Sequence, residues 1–413
     1  MARLAAIKVA ALIDGTGRPP MREQEMLIRE GRIESILGWE QAPAPPASQA
    51  QWLDASHLWA LPGLIDSHVH LNLSAGERPM TDFLREDQET LQLRSMGNAQ
   101  HALVCGITTV RDCGSRGSTV LSLRAAIDSG LLTGPRIVVS GEPITTTGGH
   151  AYWLGGEADG ETEVRKAARL LMRQGVDFIK IMGTGGGMTR GTNARAAQYS
   201  LSEMQAIVAE CRRLGRLVAA HVHGTEGIRN AVEAGVHALE HCSWLGAGEG
   251  LEYDERLVDR MARQGTFVNP TLIAGYHAFT KGTDLTPDRA RLFGLRQGRI
   301  ENLRRMIRAG VRILAGTDAG TSLTPAETFA ENLGMLQHDL GMPAMDVLQS
   351  ATRISAEALG ISAEVGTLEP GKRADLILIE GNPLDDLDVL SRVRWVIRDG
   401  RVVARDGSLV LGN

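Results

Sequence analysis

His68 and His70 stand two apart in the run Pro62-Gly63-Leu64-Ile65-Asp66-Ser67-His68-Val69-His70. In an extended strand, residues two apart point to one face, so the two imidazoles share a side. Such a pair can chelate a divalent cation at about 2.0–2.1 Å. Taken alone, it is equally read as two interior histidines in hydrogen bonds. Lys180 lies inside the apolar run Phe178-Ile179-Lys180-Ile181-Met182-Gly183, where an ammonium is costly to bury. It is read either as a salt-bridged or rim-reaching lysine, or as a neutral amine that has taken up CO2. The resulting carbamate has two anionic oxygens and can bridge two cations. His221 and His223 (Ala219-Ala220-His221-Val222-His223-Gly224) and His241 (Leu239-Glu240-His241-Cys242) end short apolar runs before helical patterns. Asp318 ends Ala315-Gly316-Thr317-Asp318-Ala319-Gly320, where a lone Asp also serves as a helix cap. Five such strand ends in one chain, taken together, point to a metal site at the C-terminal ends of parallel strands.

These residues need a scaffold that aligns strand ends. Apolar strand candidates begin near Leu61, Thr108, Arg136, Asp177, Leu217, Ala238, Thr266 and Arg312. Helical patterns lie between most of them, as at Val164 to Arg173 and Ser202 to Leu214. This alternation predicts an α/β fold, a (β/α)8 TIM barrel over residues 60–362, with a doubly wound open sheet as the alternative. The two ends read differently. Residues 1–59 are strand-like and turn-rich, with a Pro-rich piece at Pro43, Pro45 and Pro46. Residues 363–413 hold the strand runs Ala374 to Ile379 and Arg394 to Ile397, with an Asp399-Gly400 hairpin signal. One small β-sandwich-like domain built from both termini is expected.

Composition narrows the classes. The chain has 413 residues, 23% of them charged, and a net charge of −5, which gives no reason to expect nucleic acid or an anionic membrane as partner. No apolar run reaches the roughly 18 residues of a transmembrane helix, and Lys8 and Asp14 break the N-terminal apolar stretch, which reads as a strand rather than a signal peptide. Cys105, Cys113, Cys211 and Cys242 form no C-x-x-C pair. A cytoplasmic protein with free thiols is expected. A homo-oligomer is compatible with the sequence, which carries no sign of the oligomeric state.

The order HxH, Lys, His, His, Asp resembles the amidohydrolase superfamily with a binuclear metal site, over nearly the whole chain. The similarity includes the Pro-Gly-Leu-Ile-Asp lead-in, the Gly-Thr-Asp end and the closing segment Gly366 to Leu376. It is nearest to the imidazolonepropionase-related branch that holds Xaa-Pro dipeptidases and ochratoxinase-like amidases. Gly148-Gly149-His150, and Ile179-Lys180 followed by Gly185-Gly186, carry that likeness. The resemblance implies one metal on His68, His70, Lys180 and Asp318, and a second on Lys180, His221 and His241. Lys180 is then the N-carboxylated bridge. His221 is preferred to His223 as ligand because it is the first His of its strand end. His223 would then face outward or line the pocket. Zinc suits a mixed His and carboxylate set, as do manganese, cobalt or iron.

The implied chemistry is hydrolysis of a small-molecule amide by metal-bound hydroxide. Asp318 would move the proton to the leaving amine. His150 would hydrogen-bond the carbonyl oxygen, or else be an exposed loop histidine. Arg190 and Arg195, on the loop after Lys180, are candidates for a substrate carboxylate, or are simply solvated. Tyr152 and Trp244 are candidates for an aromatic wall, with core packing as the other reading of Trp244. The loop lacks the acidic, Pro-rich character expected of a dipeptidase. Three functions compete: hydrolysis of an N-acyl amino acid, dipeptide or related carboxylate-bearing amide; hydrolysis of a cyclic amide, or ring opening or deamination as in imidazolonepropionase; and a non-enzymatic scaffold. Lys180 favours the first over most deaminase-like sites, and the six filled ligand positions argue against the third.

Overall fold

In a computed structural model, residues 3–42, 51–283 and 287–410 are described. The Pro-rich piece at Pro43, Pro45 and Pro46 lies outside the described residues. The first strands are β1 (Ala6–Leu12), β2 (Met21–Arg29), β3 (Arg32–Gly38) and β4 (Trp52–Pro62). Then come β5 (Leu64–Val69), β6 (Ile107–Asp112), β7 (Arg136–Val139), β8 (Phe178–Met182), β9 (Leu217–Gly224), β10 (Ala238–Leu245), β11 (Phe267–Asn269) and β12 (Arg312–Ile313). The last are β13 (Leu376–Ile379), β14 (Val393–Arg398), β15 (Arg401–Arg405) and β16 (Ser408–Leu409).

Both ends of the chain meet in one eight-stranded sheet of order β16-β15-β14-β13-β4-β1-β2-β3. The junction is β4, which pairs parallel with β1 and antiparallel with β13. All four residues of β13 are buried because both faces are covered. Leu376 and Leu378 pack with Ile7 and Leu12 inside the terminal unit, and Ile377 and Ile379 pack into the main core. The hairpin β14–β15 turns on Asp399 (φ 50°) and Gly400 (φ 69°), the double positive φ that a two-residue turn between right-twisted strands needs.

The middle of the chain is α/β with parallel strands. One sheet runs β5-β6-β7 and the other β12-β11-β10-β9-β8, and every neighbouring pair is parallel. Helices alternate with these strands, and local chemistry sets their ends. Helix Leu201–Arg213 opens on a reciprocal Ser200–Glu203 capping box. Helix Gln88–Val104 opens on Asp87, whose carboxylate accepts from the Thr90 amide at 2.8 Å. The first central strand begins later than expected. Leu61 and Pro62 close β4, and β5 starts at Leu64. Gly63 between them lies against Thr108; a Cβ there would come within 2.1 Å of Thr108 Oγ1. The bend therefore needs a residue without a side chain.

Backbone bonds also join the two parallel sheets. Ile144 N donates to Lys180 O and Met182 N to Ile144 O, both at 2.8 Å. On the opposite side, Ser67 N donates to Ala315 O at 3.0 Å, Asp318 N to His68 O at 2.8 Å and His70 N to Ala319 O at 2.7 Å. The C-terminal ends of β5, β8, β9 and β10, and the segment after β12, thus face one cavity of about 1080 Å³, partly open to solvent.

Candidate metal centre

His68, His70, His150, Lys180, His221, His223, His241 and Asp318 all line that cavity. Their nitrogens and carboxylate form two groups, His68–His70–Asp318 and His221–His223–His241, with ligand atoms inside each group within 4.8 Å of one another. The groups adjoin: ring centroids of His68 and His241 are 5.4 Å apart, and those of His221 and His241 are 4.7 Å apart. Lys180 is 1% exposed, and its side-chain ammonium has no salt-bridge or hydrogen-bond partner among the described residues.

The arrangement suits cations. Four imidazoles are tied through Nδ1, leaving Nε2 for the cavity: His68 to Glu240 Oε2 (2.8 Å), His70 to Gly114 O (3.1 Å), His223 to Ser243 Oγ (2.8 Å) and His241 to Thr271 Oγ1 (2.7 Å). His221 is tied the other way, Nε2 to Gly185 O at 3.2 Å, which leaves Nδ1. Fixing one ring nitrogen is how proteins orient a histidine ligand. Burial, then the Lys180 charge, takes His68 down to about 4. Burial likewise holds His221, His223 and His241 well below the ordinary imidazole range. Neutral imidazole is the form that coordinates a cation. Burial would raise Asp318, yet His68 and His70 hold its carboxyl well below the usual range. For His70, burial works downward but Asp318, 3.3 Å from its Nε2, wins and raises it. The donor set therefore fits one or more divalent cations.

Two of these residues sit on strained backbone. His241 has φ 66° and Asp318 φ 63°, left-handed values unusual for residues with a side chain. Each costs about 1–3 kcal/mol and persists where the surroundings enforce it, which is common at functional sites. At β10 the strain coincides with a shift in register after His241, which aims the imidazole into the cavity.

The structure decides between the readings of some residues and corrects those of others. His150 is no exposed loop histidine: it is 6% exposed, its ring centroid is 4.5 Å from that of His221, and its amide donates to Gln198 Oε1 at 2.6 Å. His223 lines the cavity, one of its two expected placements, because it lies two residues from His221 on one strand and shares its face. Arg195 is not at the cavity. Its guanidinium donates to the carbonyls of Gly246, Glu249 and Gly250 and so holds two loops together. Arg190 is exposed and Tyr152 is 47% exposed, and neither lines the cavity. Trp244 is core, 1% exposed, with Nε1 on Met306 Sδ. The cavity's aromatic residues are Trp153 and Phe293, and its arginines are Arg296 and Arg299.

Sequence reasoning also missed the support of His68. Glu240 is fully buried and accepts from Arg111 at 2.6 Å through its other oxygen. Burial would raise Glu240, but Arg111 and His68 bring it down to about 2. Asp66 accepts from the His68 amide and from Thr317, tying β5 to the Asp318 segment. Glu240 and Asp66 are charged residues in buried apolar runs, the same signal that marked Lys180.

Among the described residues no helix is long and apolar enough to cross a membrane. Comparison with known proteins agrees with the geometry. The chain is 30% identical to ochratoxinase of Aspergillus niger, over 96% of this chain and 85% of that protein. It is 27% identical to an imidazolonepropionase of Rhizorhabdus wittichii, over 89% and 90%. A Xaa-Pro dipeptidase structure with bound methionine in its active site superimposes with TM-score 0.85 at 32% identity, covering 96% of this chain and 98% of that one. These relatives imply a TIM barrel with an extra domain and an enzyme that hydrolyses amide C–N bonds. Residues 59–403 match the amidohydrolase family model, and the chain belongs to the amidohydrolase family.

Proposed function

We propose that the chain is a binuclear metal-dependent hydrolase of an exocyclic amide, an N-acyl amino acid, a dipeptide or a related carboxylate-bearing amide. The observation that carries this reading is Lys180, a buried lysine whose ammonium has no hydrogen-bond or ion-pair partner among the described residues, in a cavity that also holds six histidines and Asp318. A buried ammonium held there without a direct hydrogen bond or salt bridge is unfavourable. An N-carboxylated lysine is anionic and relieves the repulsion between two dications. His68, His70 and Asp318 would hold one cation and His221 and His241 the other, with the Lys180 carbamate between them. Zinc is the first candidate, with manganese, cobalt or iron as substitutes. Such cations supply Lewis acidity and a water of lowered pKa.

The protein's own groups do the rest. Asp318 Oδ accepts the proton of the attacking water and delivers it to the leaving nitrogen. His150, packed beside His221, donates to the carbonyl oxygen as negative charge develops there. His223 completes the wall beside the second cation. The eight central strands are taken as a closed barrel over about residues 60–362, supported by the bonds that join the Ile144 segment after β7 to β8 and β5 to the Asp318 segment. The ends 1–59 and 363–413 form the composite β domain, supported by their shared sheet. Four free cysteines are in keeping with a reducing compartment.

The test pairs elemental analysis with a panel of N-acyl amino acids, dipeptides and cyclic amides. About two equivalents of metal and turnover of exocyclic amides are expected. In Lys180→Ala one equivalent and most activity should be lost while the fold stays, with partial rescue by a short carboxylic acid plus bicarbonate. Turnover of cyclic amides alone, or two retained metals and near-native rates in the variant, would overturn the reading.

A further inference from the structure

With Lys180 assigned to the bridge, Arg299 is left as a cavity cation that the described residues do not neutralise. It lies on helix Arg296–Arg308 and lines the same cavity as the histidines. The other arginine there, Arg296, is paired with Asp339 and packs over the Tyr276 ring. The Arg299 side chain has no ion pair or hydrogen bond among the described residues, and its Nε is shut off from solvent. Burial, then repulsion from Arg296, lowers its guanidinium only to about 10, so it stays charged at neutral pH. The same cavity wall carries His221, His223 and His241. The nearby surface is apolar, formed by Leu272, Leu292 and Phe293.

A guanidinium in such surroundings is stabilised by an anion that matches its planar fork, and a carboxylate does so with two parallel bonds. We propose that Arg299 is the specificity residue that receives the substrate's carboxylate, so that the site selects amides whose amine half is an amino acid over neutral amides. This rests on the amide-hydrolase reading above. In an N-acyl amino acid or a dipeptide, the carboxylate is one carbon from the scissile nitrogen. The anion site therefore has to adjoin the metal-ligand groups, and Arg299, which lines the same cavity as those groups, satisfies that. Arg190 and Arg195 cannot take this role in this arrangement, because neither lines the cavity.

The experiment has two arms. In the first, kcat/KM is measured for the best N-acyl amino acid of the panel and for its decarboxylated N-acyl amine analogue. The wild type should favour the acid by roughly 10–150-fold, the range for one hydrogen bond to a charged group. Arg299→Ala should bring that ratio within a few-fold of one, chiefly through KM. Arg299→Lys should keep part of it, and added guanidinium should restore part of it to Arg299→Ala. In the second arm, binding of the free amino acid product to metal-depleted protein is measured by calorimetry. Wild type should bind it and Arg299→Ala should not, with circular dichroism confirming the fold of both. An unchanged acid-to-amine ratio in Arg299→Ala overturns the proposal, as does equal product binding by the two proteins. If no amide is cleaved by the wild type, the hydrolase reading fails, and the binding arm still decides the role of Arg299.

Discussion

At the scale of single residues, the site depends on side chains that touch no substrate. Glu240 is held between Arg111 and His68 in a fully buried position. Glu240→Ala leaves the Arg111 guanidinium buried without its partner, and breaking such a pair costs about 3–5 kcal/mol. It also frees the His68 ring, and losing a group that orients a ligand weakens metal binding by roughly 10–100-fold. Denaturant melts and metal titration should show both losses; a variant with native stability and affinity would mean that Glu240 is dispensable. Gly186 gives a milder probe. A Cβ there would come within 2.5 Å of the His150 ring, whose other side meets His221. Gly186→Ala should displace the imidazole and lower kcat by about 100-fold, the order seen when one oxyanion donor is lost, with metal content unchanged. An unaltered kcat would remove His150 from the reaction. The clustered histidines, Lys180 and Asp318 were legible because polar residues at the ends of apolar runs are rare. Arg299 was not, since an arginine in an amphipathic helix carries no mark of which face it shows the cavity. Arg195 was misjudged for the converse reason: sequence position on a loop near the site does not reveal that three carbonyls hold it.

At the scale of elements, the eight central strands begin within about three residues of where their apolar runs predicted, because β/α alternation leaves strong local signals. The exception is the first, where Gly63 divides one apolar run between two sheets. What packs helix on helix was not legible. Glu210 on helix Leu201–Arg213 accepts two bonds from Arg169 of helix Gly160–Gln174, and one from Arg213. The bonds from these two arginines hold Glu210 down to about 2 against an ordinary 4.5. A carboxylate with a lowered folded-state value stabilises fully above the unfolded value, and that stabilisation fades as pH drops from 4.5 toward 2. The side chains of Arg169 and Arg213 are 58% and 61% exposed, so water and salt screen the gain. Glu210→Gln should therefore lower Tm by only about 1–3 °C at pH 7. The gap between the two proteins should close on acidification below pH 4.5. A gap that widened in acid would contradict the assignment.

At the scale of the whole molecule, the proposed ligands come from β5, β8, β9, β10 and the segment after β12, so they bridge both parallel sheets. The sheets meet through only a few backbone bonds on each side, and β12 is two residues long. Metals held by both sheets would tie the two sheets where they meet, while the strain at His241 and Asp318 and the buried Lys180 act against the metal-free state. Binding to the folded form alone stabilises it in proportion to the logarithm of metal concentration over Kd, about 4 kcal/mol at a thousandfold excess. Chelation verified by elemental analysis should thus lower Tm by roughly 5 °C, and zinc should restore it. Lys180→Ala, retaining one cation, should fall between the two. The terminal β sheet, which holds none of the proposed ligands, should keep its amide-exchange protection after chelation, whereas β5, β8 and β10 should lose theirs. Equal Tm with and without metal would show that the two sheets are held together by packing alone, and uniform loss of protection would show that the parallel sheets and the terminal sheet unfold together.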